Sequence, residues 1–156
     1  MISSGVEGLD RLLGGWAGGD NVVWLTERSR VYEAIERAFL EGTAAGRPGI
    51  VGAATRGRAD QRAADVTIDA TAGSALARAV PLADALDAQL REHPGACIVV
   101  DGFGTLVRRW GQAEAAAFFA RVCPTMLQAG AITYWRMPAA AGDQVAERIR
   151  QVAASS

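Results

Sequence analysis

Cys97-Ile98-Val99-Val100-Asp101 is a continuous apolar run of strand length, closed by a carboxylate. A strand with no polar position has no face to offer water, so it must be covered on both sides. That requirement disfavours an antiparallel sheet with one wet face and points to parallel strands wrapped by helices. Val22-Val23-Trp24-Leu25 makes the same demand near the amino terminus, within a strand predicted over 21–26. Gly49-Ile50-Val51-Gly52-Ala53-Ala54 repeats it after Arg47-Pro48, and Val66-Thr67-Ile68-Asp69 and Ala131-Ile132-Thr133-Tyr134-Trp135 read as further short strands.

Between these runs apolar residues recur at helical spacing. Val31, Ala34, Ile35, Ala38 and Phe39 form one stripe, predicting a helix from about Arg30 to Thr43 with Ser29 as its N-cap. Leu82, Leu86 and Leu90 predict a helix that stops near His93-Pro94-Gly95, where the histidine suits the helix dipole. Phe119, Val122, Cys123, Met126 and Leu127 predict another, kinked or split at Pro124, and Val145, Ile149 and Val152 a closing one. At the amino terminus a serine cap leads into a short helix carrying Leu9, Leu12 and Leu13, broken at Gly14-Gly15. Arg56 to Arg62 reads as an exposed loop or a short helix. The alternation implies an α/β fold, a mainly parallel sheet covered by helices on both faces. With 156 residues, no repeat and no linker, 1–156 is expected to form one domain.

Composition removes several classes of chemistry. The 16 basic residues are all arginines, so a Schiff base or a phosphate-loop lysine is excluded. A net charge of -1 disfavours a protein whose main work is neutralising nucleic-acid phosphates. Two cysteines without ligand spacing and a single histidine support neither a zinc site nor a disulfide framework, and they leave no base for a serine or cysteine nucleophile. Without a secretion signal or a long apolar run, a soluble cytoplasmic protein is expected.

Ile2-Ser3-Ser4-Gly5-Val6-Glu7-Gly8-Leu9-Asp10-Arg11-Leu12-Leu13-Gly14-Gly15 closely resembles the opening of the KaiC and RadA branch of the RecA-like ATPases. Val66-Thr67-Ile68-Asp69-Ala70 resembles that family's short strand after the second core segment, and Ile98-Val99-Val100-Asp101-Gly102-Phe103 resembles its Walker B strand, whose aspartate helps to hold Mg²⁺. The resemblance implies a RecA-like core with the nucleotide at the junction of the first core strand and its helix. It also implies self-association, or assembly with another RecA-like protein.

The departures fall at that junction. Family members carry G-x-x-x-x-G-K-[ST] there, because successive backbone N–H groups wrap the phosphates while lysine and hydroxyl reach the terminal phosphate and the metal. This chain has Thr26-Glu27-Arg28-Ser29-Arg30-Val31, with neither glycine nor lysine. Ala53-Ala54-Thr55-Arg56 stands where the family places the acidic residue that orients the attacking water. The positions to test as a degenerate nucleotide site are therefore Glu27, Arg28, Ser29, Arg30 and Asp101. Glu27 either fills the anion position at the helix N-terminus or is an ordinary exposed glutamate. Asp101 is either a relic of metal binding or a cap on the following turn.

The expectation for function is a catalytically inactive RecA/KaiC-like protein that regulates or scaffolds through protein contacts, with no bound cofactor and no membrane association. Trp135, Arg136 and Met137 at a strand's carboxyl end, with Arg108, Arg109 and Trp110, are the candidate partner contacts. Trp24-Leu25-Thr26 and Tyr134-Trp135-Arg136-Met137-Pro138 loosely resemble segments of the cell-division inhibitor SulA family, a resemblance that implies division or SOS-type regulation. Residual ATP binding with Arg28 or Arg30 in place of the lysine is one alternative. Single-stranded DNA binding through Arg56, Arg58, Arg62, Arg108, Arg109 and Trp110 is the other.

Overall fold

The structure, a computed structural model, describes residues 1–27, 29–42, 46–53, 64–138, 147 and 151. Five parallel strands, β1 (Asn21–Leu25), β2 (Gly49–Ala53), β3 (Val66–Asp69), β4 (Cys97–Asp101) and β5 (Ile132–Met137), form one sheet in the order β1-β5-β4-β2-β3. The helices are α1 (Glu7–Leu13), α2 (Ser29–Gly42), α3 (Ala79–Glu92), α4 (Phe103–Trp110) and α5 (Gln112–Gln128). Val145, Ile149 and Val152 of the expected closing helix, and the Arg56 to Arg62 segment, lie outside the described residues.

Two apolar clusters, one on each face, meet the demand made by β4, all five of whose residues are buried. Ile98 and Val100 join the larger cluster with Leu82 and Leu86 of α3, Phe103 and Leu106 of α4, and Phe119 and Val122 of α5. Cys97 and Val99 join the other with Phe39 and Leu40 of α2. The two-residue alternation of a strand assigns side chains to faces in the same way along β5, where Tyr134 packs toward α2 and Trp135 toward the larger cluster. Tyr134 stacks on Phe39 with centroids 3.9 Å apart, and its hydroxyl accepts a hydrogen bond from Trp16 Nε1 at 2.9 Å.

The amino-terminal block locks onto α2. Asp10 accepts hydrogen bonds from the Ser3 hydroxyl and from the Ser4 backbone N–H at 2.7 Å, which closes Ser3 to Asp10 into a loop. Gly5, at φ 81°, lies so close to α2 that a Cβ there would stand 2.1 Å from the Ala38 carbonyl oxygen. Ile2 and Trp16 pair through reciprocal backbone hydrogen bonds of 2.8 and 2.7 Å and pack on the α2-side cluster.

Three elements differ from expectation. Helix α5 is one continuous helix across Pro124, so the chain is not split there; the proline lies on its exposed side, where the carbonyl it leaves unpaired can turn to water. Helix α4 was not anticipated, and it follows β4 by way of Gly102, whose φ of 74° turns the chain directly from strand to helix. Strand β5 continues past Trp135 to Met137, pairing Leu25 with Met137.

Candidate functional site at the carboxyl ends of the strands

Helix α2 leaves β1 toward one face of the sheet and α4 leaves β4 toward the other, with β5 between them. Divergence of this kind opens a crevice beyond the strand ends, where α/β proteins place their ligands. A cleft of about 330 Å³ lies there. Thr26 and Glu27 line it from the β1–α2 junction, Glu33 from α2, Asp101 and Gly102 from the end of β4, Thr105 and Arg108 from α4, and Arg136 and Pro138 from the end of β5.

Strand register explains how its central charges meet. Val100 pairs with Trp135, so the next step along the two parallel strands sets Asp101 beside Arg136. Asp101 is 1% exposed, and its Oδ1 lies 3.9 Å from Arg136 Nη1. The guanidinium carbon also sits 5.3 Å from the ring centroid of Tyr32, in the first turn of α2, within cation–π range. One arginine thus contacts a buried carboxylate on β4 and a buried aromatic ring on α2.

The junction between β1 and α2 is three residues long, Thr26 to Arg28, since Leu25 closes the strand and Ser29 opens the helix. Thr26 N–H donates to the Met137 carbonyl at 3.0 Å, which extends the β1–β5 pairing into the junction. Glu27 is exposed at the mouth of the cleft and Arg30 is exposed on α2. Arg28 lies outside the described residues, and Ser29 opens the helix instead of capping it from outside.

The structure divides the expected partner contacts. Trp135 and Met137 are fully buried and belong to the larger core cluster, so they offer no surface to a partner. Trp135 packs against Phe103 and Phe119 at centroid distances of 5.2 and 4.9 Å, and its Nε1 donates to Asn21 Oδ1 at 3.0 Å. Arg109 and Trp110 are ties within the fold. Arg109 donates to the Ala70 carbonyl at 2.8 Å and Trp110 Nε1 donates to the Ala77 carbonyl at 2.8 Å, which fastens α4 to the loop between β3 and α3. Arg108 remains exposed, donating to Thr105 Oγ1 at 2.9 Å on the cleft wall. Of the sequence candidates, the cleft brings together Glu27, Asp101, Arg108 and Arg136. Glu33 and Thr105 join them unanticipated, with Tyr32 beneath Arg136, because nothing in the sequence reports which turn of α2 or α4 faces the strand ends.

Other chemistry is sparse. Burial pushes the Cys97 thiol up to about 11 and the Cys123 thiol to about 12, so both stay protonated at neutral pH and are poor nucleophiles. His93 caps the carboxyl end of α3, its N–H donating to the Gln89 carbonyl at 2.8 Å. Among the described residues no group of three or more His, Cys, Asp or Glu could hold a metal, and no helix is long and apolar enough to cross a membrane.

The sequence matches no family model and no curated protein. Solved structures similar to it include a KaiC-like protein from the hyperthermophilic archaeon Pyrococcus horikoshii, which superposes with a TM-score of 0.75 at 15% sequence identity. The match covers 97% of this chain and 77% of that one. The fold is a RecA/KaiC-like core.

Proposed function

We propose that the chain is a RecA/KaiC-like module that does not turn over ATP and works through contacts with other proteins. The observation that carries this reading is the three-residue β1–α2 junction. A phosphate cradle needs several consecutive N–H groups curling around the anion, with glycines to admit it. Thr26 to Arg28 offers three residues and no glycine, and the chain has no lysine to reach a terminal phosphate. Asp101 supports the same reading, because the carboxylate matching the family's metal-holding aspartate already has a guanidinium beside it. A Mg²⁺–nucleotide complex does not fit these residues.

Glu27 takes the anion's place in this reading, a carboxylate near the amino end of α2 where a helix dipole gains ~0.3 to 1 kcal/mol from negative charge. The partner surface then lies around the cleft mouth, with Arg108 and Arg136 as its basic contacts. The outermost strands β1 and β3 suit lateral association with a second copy or with another RecA-like protein. Division or SOS-type regulation is the specific version that the looser SulA likeness suggests.

A phosphate-release assay with Mg²⁺ and ATP is expected to give the buffer rate, and a rate that saturates with ATP would refute the reading. Residual nucleotide binding is the second reading, favoured by the two guanidiniums of Arg108 and Arg136 in the cleft. Titration with a fluorescent ATP analogue separates the two. Single-strand binding is weakened by the ties that hold Arg109 and Trp110, and retention of an oligonucleotide at ~50 mM salt would revive it.

A further inference from the structure

We infer that Arg136 is an internal counter-cation for Asp101, supplying from within the chain the positive charge that the resemblance assigns to Mg²⁺ at this aspartate. The inference rests on the nucleotide-silent reading above and adds the residue that keeps the site closed.

Burying the Asp101 carboxylate to 1% exposure strips its hydration, a cost that only favourable partners offset. Arg136 reaches it at 3.9 Å by strand register alone, with no loop that must order first. The faces agree as well. Val99 and Tyr134 point to the α2 side, so Asp101 and Arg136, two positions further along their strands, point there too. The guanidinium carbon then sits over the Tyr32 ring at 5.3 Å, joining the first turn of α2 to the ends of β4 and β5.

Arginine suits both demands, since its broad planar cation can lie over a ring while its N–H edge addresses a carboxylate, whereas an ammonium group offers a point charge without that fork. A divalent cation approaching Asp101 would have to displace a side chain held on two sides. Arg136 therefore ties the sheet end to α2.

The test is a double-mutant cycle in urea with Asp101→Asn, Arg136→Met and both together. Each single variant is expected to destabilise the protein. Asp101→Asn is expected to reverse sign in the Arg136→Met background and restore stability, because it removes a buried charge that has lost its neighbouring guanidinium. The coupling should be at least about tenfold in the folding equilibrium constant, or ~1.4 kcal/mol. Arg136→Lys should recover part of the loss, and Tyr32→Leu should lower the coupling. Additive single effects, or an Arg136→Met protein as stable as wild type, would overturn the inference. Should Arg136→Met alone be insoluble, a soluble double variant supports the inference and an equally insoluble one overturns it. Calorimetric titration of the wild type with ATP keeps the two claims apart: absent coupling without ATP binding refutes only the counter-cation, whereas micromolar ATP binding refutes the nucleotide-silent reading.

Discussion

Replacing Trp135 by alanine distinguishes a core residue from a partner platform. The indole is fully buried among Phe103, Phe118 and Phe119, and its Nε1 donates to Asn21. A buried tryptophan removes ~150 to 250 Å² from water, worth roughly 4 to 6 kcal/mol at ~25 cal/mol per Å², as an upper bound. Tryptophan or phenylalanine truncations in cores cost about 3 to 5 kcal/mol. Asn21 is only half-buried, so water can replace the lost donor and that hydrogen bond adds little. A loss of ~4 kcal/mol is expected, a large share of the ~5 to 15 kcal/mol that holds a typical domain folded. In a urea titration followed by far-ultraviolet circular dichroism, with a slope of ~2 kcal/mol per molar, the midpoint should fall by about 2 M. Trp135→Phe, which keeps most of the ring contacts, should cost markedly less. A Trp135→Ala protein within ~1 kcal/mol of wild type would refute the buried placement and return Trp135 to the list of surface contacts.

Hydrogen bonds from Ser3 and Ser4 hold the Asp10 carboxyl below its usual value of 3.8, so its contribution to stability is present above that value and is lost as pH falls through the lower folded-state pKa. Asp10→Asn should therefore lower the melting temperature at pH 7 and flatten its acid dependence; an unchanged acid limb would refute the locking role. Arg109→Met should free the β3–α3 loop at a cost of ~1 to 3 kcal/mol, detected as faster amide exchange over residues 70–78, and unchanged exchange there would contradict the tie. Both cysteines should react with a thiol reagent only after unfolding at pH 7, and rapid labelling of the native chain would show that Cys97 and Cys123 are not buried.

Much of the fold was legible because the strands have to be dry on both faces. Cys97 to Val100 could be read as a buried parallel strand from composition alone, and the stripe from Val31 to Phe39 announced α2. Helix α4 was legible in principle, since Phe103, Leu106, Val107 and Trp110 recur at i, i+3, i+4 and i+7 between Gly102 and Gly111, but the adjacent Arg108 and Arg109 draw the eye to a surface patch instead. Pro124 does not split α5, because proline's cost in a helix depends on whether the freed carbonyl can reach water, which only the packed structure decides. The site was legible in its parts and not in its pairing. Asp101 stood out at the end of an apolar run, but its contact with Arg136 depends on the register of two strands distant in sequence. Arg108, Arg109 and Trp110 looked like one basic and aromatic patch, yet helical rotation turns Arg108 toward the cleft and the other two toward the β3–α3 loop.

The central claim is that the cleft beside Asp101 is closed to nucleotide. Isothermal titration of the wild-type chain with ATP in the presence of Mg²⁺ tests it most directly. The three-residue junction and the Arg136–Asp101 pair predict no heat above dilution. A saturable isotherm with a micromolar dissociation constant would contradict the account.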